Sequence, residues 1–106
     1  MQQLRLTRSQ PPLFWMVLDW SMSRFVALEL LRELSPGHVL RGRKFHAIAY
    51  RGGSDDFLFE LDEAVADVHL TFTKEHRPEF PSTTIYASLN DWVAAINADN
   101  LRCESS

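Results

Sequence analysis

Apolar residues return along this chain with two spacings, and each predicts a different element. Over residues 22–34 (MSRFVALELLREL) the spacing is three to four. Phe25, Leu28 and Leu31 join Val26, Leu30 and Leu34 on one broad apolar side, opposed by Arg24, Glu29, Arg32 and Glu33. That is the pattern of an amphipathic helix. Ser21 or Ser23 supplies its N-cap, and Ser35-Pro36-Gly37 stops it.

From residue 39 the spacing falls to two, predicting strands over about 39–50, 56–61 and 66–73. A three-residue loop at Gly52-Gly53-Ser54 sets Phe45, Ala47 and Ala49 against Leu61, Phe59 and Phe57, with Lys44 opposite Asp62 and His46 opposite Glu60. A loop one residue shorter or longer turns apolar side chains against acids, so the faces select this register. The next hairpin turns at Glu63-Ala64. Pairing Phe59 with Val68 and Leu61 with Ala66 keeps the apolar face continuous and sets Leu58 against His69.

Residues 74–82 (KEHRPEFPS) read as a loop, and 83–87 (TTIYA) as a short fourth strand. A final helix starts at Ser88, whose hydroxyl caps it with Asp91 three residues on; Leu89, Trp92, Val93 and Ile96 share a face that fades near 97–100. The sum is an α+β fold in two layers: an antiparallel sheet of three to four strands, with the N-terminal and C-terminal helices packed on one face.

At 106 residues the chain supports one domain that needs no metal or disulfide to fold. The expected division is an N-terminal, Trp-rich extension over 1–21, an α+β domain over 22–100 and a polar tail over 101–106. Cys103 is the only cysteine, which fits a reducing cytoplasm. The run Leu13–Leu18 has six apolar residues, short of a signal-peptide core of about 7–15 residues or a span of about 20. No membrane association is expected. A net charge of −3 argues against nucleic acid. Residues 38–51 hold Arg41, Arg43, Lys44 and Arg51 without an acid, while 54–67 hold six acids without a base, so these segments are matched to pair with each other.

On the polar sheet face the register gathers His46, Glu60 and His69, residue types able to bind zinc or move a proton. The two histidines are separated by a whole strand, about two strand spacings or roughly 9–10 Å. Ordinary cross-strand pairing therefore explains them more simply. The Gly52–Asp56 turn lacks the spacing of a calcium loop, no glycine pattern matches a phosphate or dinucleotide loop, and no serine sits in a nucleophile motif. No metal and no cofactor is called for. Phe14, Trp15, Met16 and Trp20 form the sharpest binding candidate: aromatics and Met in an irregular segment cover their own chain or dock into another.

Gly42-Arg43, the run Asp55–Leu61, Val68–Phe72, Pro81–Thr84 and Asp91-Trp92 resemble an uncharacterised family of short bacterial proteins of about this size. The resemblance covers residues 42–92 and departs at Glu63-Ala64, where a glycine turn is expected. It implies a bacterial source and no catalytic role, and it draws attention to the strand bearing His69.

Three readings follow. The first is a noncatalytic protein-binding module, adaptor or immunity-like, using its open polar sheet face or its Trp-rich segment toward a protein partner or a second copy. The second is a small metal-dependent or acid/base enzyme using His46, Glu60 and His69, which requires the three to converge in a concave site. The last is a nucleic-acid binder through Arg41, Arg43, Lys44 and Arg51.

Overall fold

The computed structural model describes residues 14–73 and 77–105. Its elements are β1 (Trp15–Val17), α1 (Trp20–Glu33), β2 (His46–Arg51), β3 (Asp56–Glu60), β4 (Val65–His69), β5 (Ser82–Tyr86) and α2 (Leu89–Ser105). The strands form one sheet in the order β1-β2-β3-β4-β5, each antiparallel to its neighbour. The α+β class stands as expected, but the sheet has five strands where three or four were expected.

The extra strand lies in what the sequence presents as an extension. β1 pairs Trp15 with Arg51, Met16 with Tyr50 and Val17 with Ala49, and the Gly52 and Leu18 amides lengthen the contact by donating to Phe14 O (2.7 Å) and Ile48 O (3.0 Å). Gly52 permits this approach: a Cβ there would lie 3.2 Å from the Met16 methyl and 3.5 Å from Phe14 O. α1 then starts at Trp20, capped by neither serine. The Asp19 carboxylate accepts the Met22 amide at 2.8 Å, while Ser23 is buried and donates to Ala47 O at 2.6 Å, tying the helix to the sheet. Residues 1–13 of the expected extension lie outside the described residues, and residues 101–105 of the expected tail continue α2.

The two helices cover opposite faces of the sheet. Val26 and Leu30 of α1, with Leu34 just past its end, pack with Ala47, Phe57, Phe59, Ala66 and Val68. Leu89, Trp92, Val93 and Ile96 of α2 pack with Trp15, Ile48, Ala49, Leu58 and Val65. The two-layer arrangement with both helices on one face is thus corrected to a sheet between helices. The second face is apolar at its centre because Ile48, Leu58 and Val65 stand at positions that the alternation assigns to the polar side.

A bulge explains part of this. His46 pairs with Glu60 and Ala47 with Phe59, as the faces require, but Ile48 is then passed over, so that Ala49 meets Leu58 and Tyr50 meets Phe57. The expected Ala49–Phe57 pairing is corrected, and the loop lengthens to residues 52–55. In the second hairpin Phe59 pairs with Ala66, Leu58 with Asp67 and Asp56 with His69, two residues from the expected register. Leu61 donates to Ala64 O at 2.9 Å to close that turn.

Two strands are shorter than their apolar alternation. β2 begins at His46 because residues 38–43 form successive turns, with the Arg41 amide donating to His38 O and that of Arg43 to Leu40 O. The buried His38 accepts the Leu40 amide through Nδ1 (3.0 Å) and faces Pro81 O through Nε2 (2.9 Å), partners that place its proton on Nε2. β4 stops at His69 because Glu33 captures the chain that follows it.

Candidate functional site

The register decides whether the three polar candidates form a site. His46 and Glu60 are direct cross-strand partners, whereas His69 faces Asp56. On β4 the partner of Glu60 is Val65, four residues from His69, or roughly 13 Å along the strand. The His46–Glu60–His69 group therefore does not converge. Among the described residues no cluster of three or more His, Cys, Asp or Glu side chains is placed to hold a metal ion.

Each histidine has its own surroundings. His46 and Glu60 border a cleft of about 460 Å³, whose other walls include Lys44, Glu63, Ser88 and Leu89. An imidazole, a carboxylate and an ammonium group around one concavity can bind a small polar molecule or hand a proton to it. His69 Nδ1 lies 2.8 Å from Asp56 Oδ1, and Asp56 Oδ2 accepts the Ser54 hydroxyl. Aspartate is the middle member of this chain, so no hydroxyl is activated by the imidazole as in a Ser-His-Asp triad. The His69 side chain is 54% exposed, and the pair behaves as a surface contact.

Between these ends, α2 covers the sheet. Trp92 is fully buried and donates its indole N–H to Asp67 Oδ2 at 3.1 Å. Burial pushes the Asp67 carboxyl above the ordinary aspartate range and the Asp56 charge adds to this, while the Trp92 hydrogen bond, Arg51 and His69 oppose it. The sheet face expected to lie open to a partner is thus occupied over its centre.

The aromatic segment divides. Trp15 is 4% exposed and meets Trp92 edge to face, whereas Trp20 is 68% exposed with the Arg24 guanidinium 5.2 Å from its ring. Phe14 and Met16 are also exposed. Beyond them is a feature that the sequence pattern folded into the core. Phe25 (57%), Leu28 (61%) and Leu31 (60%) of α1 face outward, opposite Val26 and Leu30 on the buried side. The broad apolar side expected of this helix is two sides, one packed and one exposed. The signal lay in the width of the stripe, since a helix apolar nearly all round is one covered from more than one direction.

The buried side of α1 ends in a carboxylate. Glu33 Oε1 accepts the Thr71 amide (2.9 Å) and hydroxyl (3.1 Å), and Oε2 accepts the Phe72 amide (2.8 Å). Burial pushes this carboxyl up to about 7, with the hydrogen bond to Glu29 adding and the Thr71 and Phe72 donors opposing. The lock holds Phe72 at a φ of 58° and fixes the end of β4 to the helix. In the basic set Arg41, Arg43, Lys44 and Arg51, Arg41 donates to Leu34 O at 2.9 Å.

Comparison with protein-family models, with curated proteins and with solved structures finds no match. Among the described residues no helix is long and apolar enough to cross a membrane.

Proposed function

We propose that this chain is a noncatalytic, adaptor-like module that binds another protein chain through the outer face of α1. The observation that carries this reading is the exposed apolar side that Trp20, Phe25, Leu28 and Leu31 give to a helix whose opposite side is already buried. Apolar rows of this length cost solvation in a free monomer and mark contact surfaces when they stand together. Arg24 over Trp20 and Arg32 paired with Glu29 at 2.9 Å flank Leu28 one turn to either side, each already engaged on its own helix. A cytoplasmic setting suits the lone Cys103.

The test is photo-crosslinking in producing cells with a photoreactive residue at position 28, and at position 46 as a control. Adducts to a protein chain at 28 are expected. No adduct at 28, or adducts at 46 alone, would remove the reading.

A second reading has one observation of its own: the cleft beside His46 and Glu60. It is a small-molecule or acid/base site that uses those two residues without His69. Titration with small amino acids and carboxylates, followed at the His46 ring signals, tests it. Shifts abolished in Glu60→Gln support it, and unmoved signals exclude it.

A further inference from the structure

We infer that the occupant of the α1 outer face is a second copy of this chain, docked helix against helix about a two-fold axis. This rests on the docking reading above and adds the identity of the partner.

The surface is a ridge. Phe25, Leu28 and Leu31 are spaced by three and form one row along α1 that Met22 extends at its N-terminal end, while Trp20 stands on the same outward side two turns before Leu28; Trp20, Phe25, Leu28 and Leu31 are each more than half exposed. Helices interlock through such rows, the ridge of one entering the groove beside a row of the other at an axial separation of about 8–10 Å. A convex ridge offers no pocket for an extended peptide. What fits it is another helix with a matching apolar row, and each copy of the chain brings one of equal length. With Leu28 near the axis, Phe25 of one copy lies level with Leu31 of the other, so the row is complementary to itself as an isologous contact requires.

The exposed area is of the right order. The four side chains present roughly 500–600 Å² per copy, and the adjoining exposed Met22 raises this toward the 800 Å² or so that each partner gives to a standard interface. In this register Arg24 of one copy lies level with Arg32 of the other, a like-charge pair that the partner each arginine already has on its own helix offsets. Arg32 is already matched by Glu29, and Arg24 is spread over the face of Trp20. No unpaired carboxylate interrupts the four apolar positions.

Sedimentation velocity on the full chain over a concentration series tests this, with Leu28→Glu, Phe25→Gln and, as a control on the far edge of the sheet, Ile85→Glu. Leu28→Glu places its carboxylate one turn from both Arg24 and Arg32, so the helix itself is supported. The expected result is a reversible monomer–dimer equilibrium. Leu28→Glu should raise its dissociation constant a hundredfold or more, Phe25→Gln about tenfold and Ile85→Glu less than twofold. A parent chain that stays monomeric at the highest concentration overturns the inference, and position-28 adducts to a different protein would then leave the docking reading standing. A dimer indifferent to Leu28→Glu and Phe25→Gln overturns it as well, because the contact then lies elsewhere.

Discussion

Trp15 and Trp92 meet with ring centroids 4.9 Å apart and planes at 89°, joining the first strand of the sheet to its last helix. Edge-to-face contact of this kind adds to the area that each ring buries. It also closes the second core, because Trp92 anchors α2 over Leu58 and Val65 while Trp15 covers the flank at Ala49. The N-terminal segment is therefore part of what holds α2 in place.

Trp15→Ala is expected to cost about 3–5 kcal/mol, as for other large-to-small changes in a packed core. Trp20→Ala, five residues away but exposed, is expected to change monomer stability by less than about 1 kcal/mol. Urea unfolding of the two variants checks this. Equal losses would mean that the two rings share one environment.

Glu33 gives stability a pH dependence opposite to that of a salt-bridged acid. Its carboxyl rises from an ordinary 4.5 to about 7 in the fold, so between these values the native state holds a proton that the unfolded chain has released. The contribution is full below pH 4.5 and is lost as the pH rises through about 7. The stability of the parent should fall from pH 5 to pH 8 relative to Glu33→Gln, in which this dependence is absent. A parent and variant with parallel profiles would contradict the assignment.

The His69–Asp56 contact is expected to couple weakly despite its 2.8 Å distance, since the imidazole is largely in water. A double-mutant cycle with His69→Ala and Asp56→Asn should return no more than about 1 kcal/mol. Zinc should bind no tighter to the parent than to His69→Ala, because the register leaves that histidine away from His46 and Glu60. Zinc affinity lost in His69→Ala would reinstate the three-residue site.

Much of this fold was legible in the sequence. The strand set β2–β4, the final helix and the His46–Glu60 pairing all follow from periodicity and from matching faces across a glycine-rich turn. The second hairpin lies two residues from the expected register, for a definite reason. A shift of one turns every side chain to the wrong face, but a shift of two keeps Phe57, Phe59, Ala66 and Val68 all inward, so face matching alone cannot choose between the registers. β1 was hidden because three residues give too little alternation to recognise, and because its pairing partner is distant in sequence. The covering of the second face was visible in principle: Ile48, Leu58 and Val65 are apolar at positions that solvent would not favour. Reading His46, Asp56, Glu60 and His69 as an open polar face gave the strand ends more weight than the strand centres. Glu33 could not be foreseen, since its donors, two backbone amides and the Thr71 hydroxyl, lie some forty residues away.

The division of α1 into a packed and an exposed apolar side is the centre of this account, and unfolding of Phe25→Gln/Leu28→Gln beside Leu30→Ala tests it most directly. Glutamine keeps helix propensity close to that of leucine, so the comparison isolates burial. Measured at several protein concentrations and extrapolated to the monomer, the double variant should lie within about 1 kcal/mol of the parent, while Leu30→Ala should lose about 2–5 kcal/mol. A double variant that loses as much as Leu30→Ala would mean that Phe25 and Leu28 are covered within the monomer, leaving no outer face for a partner to occupy.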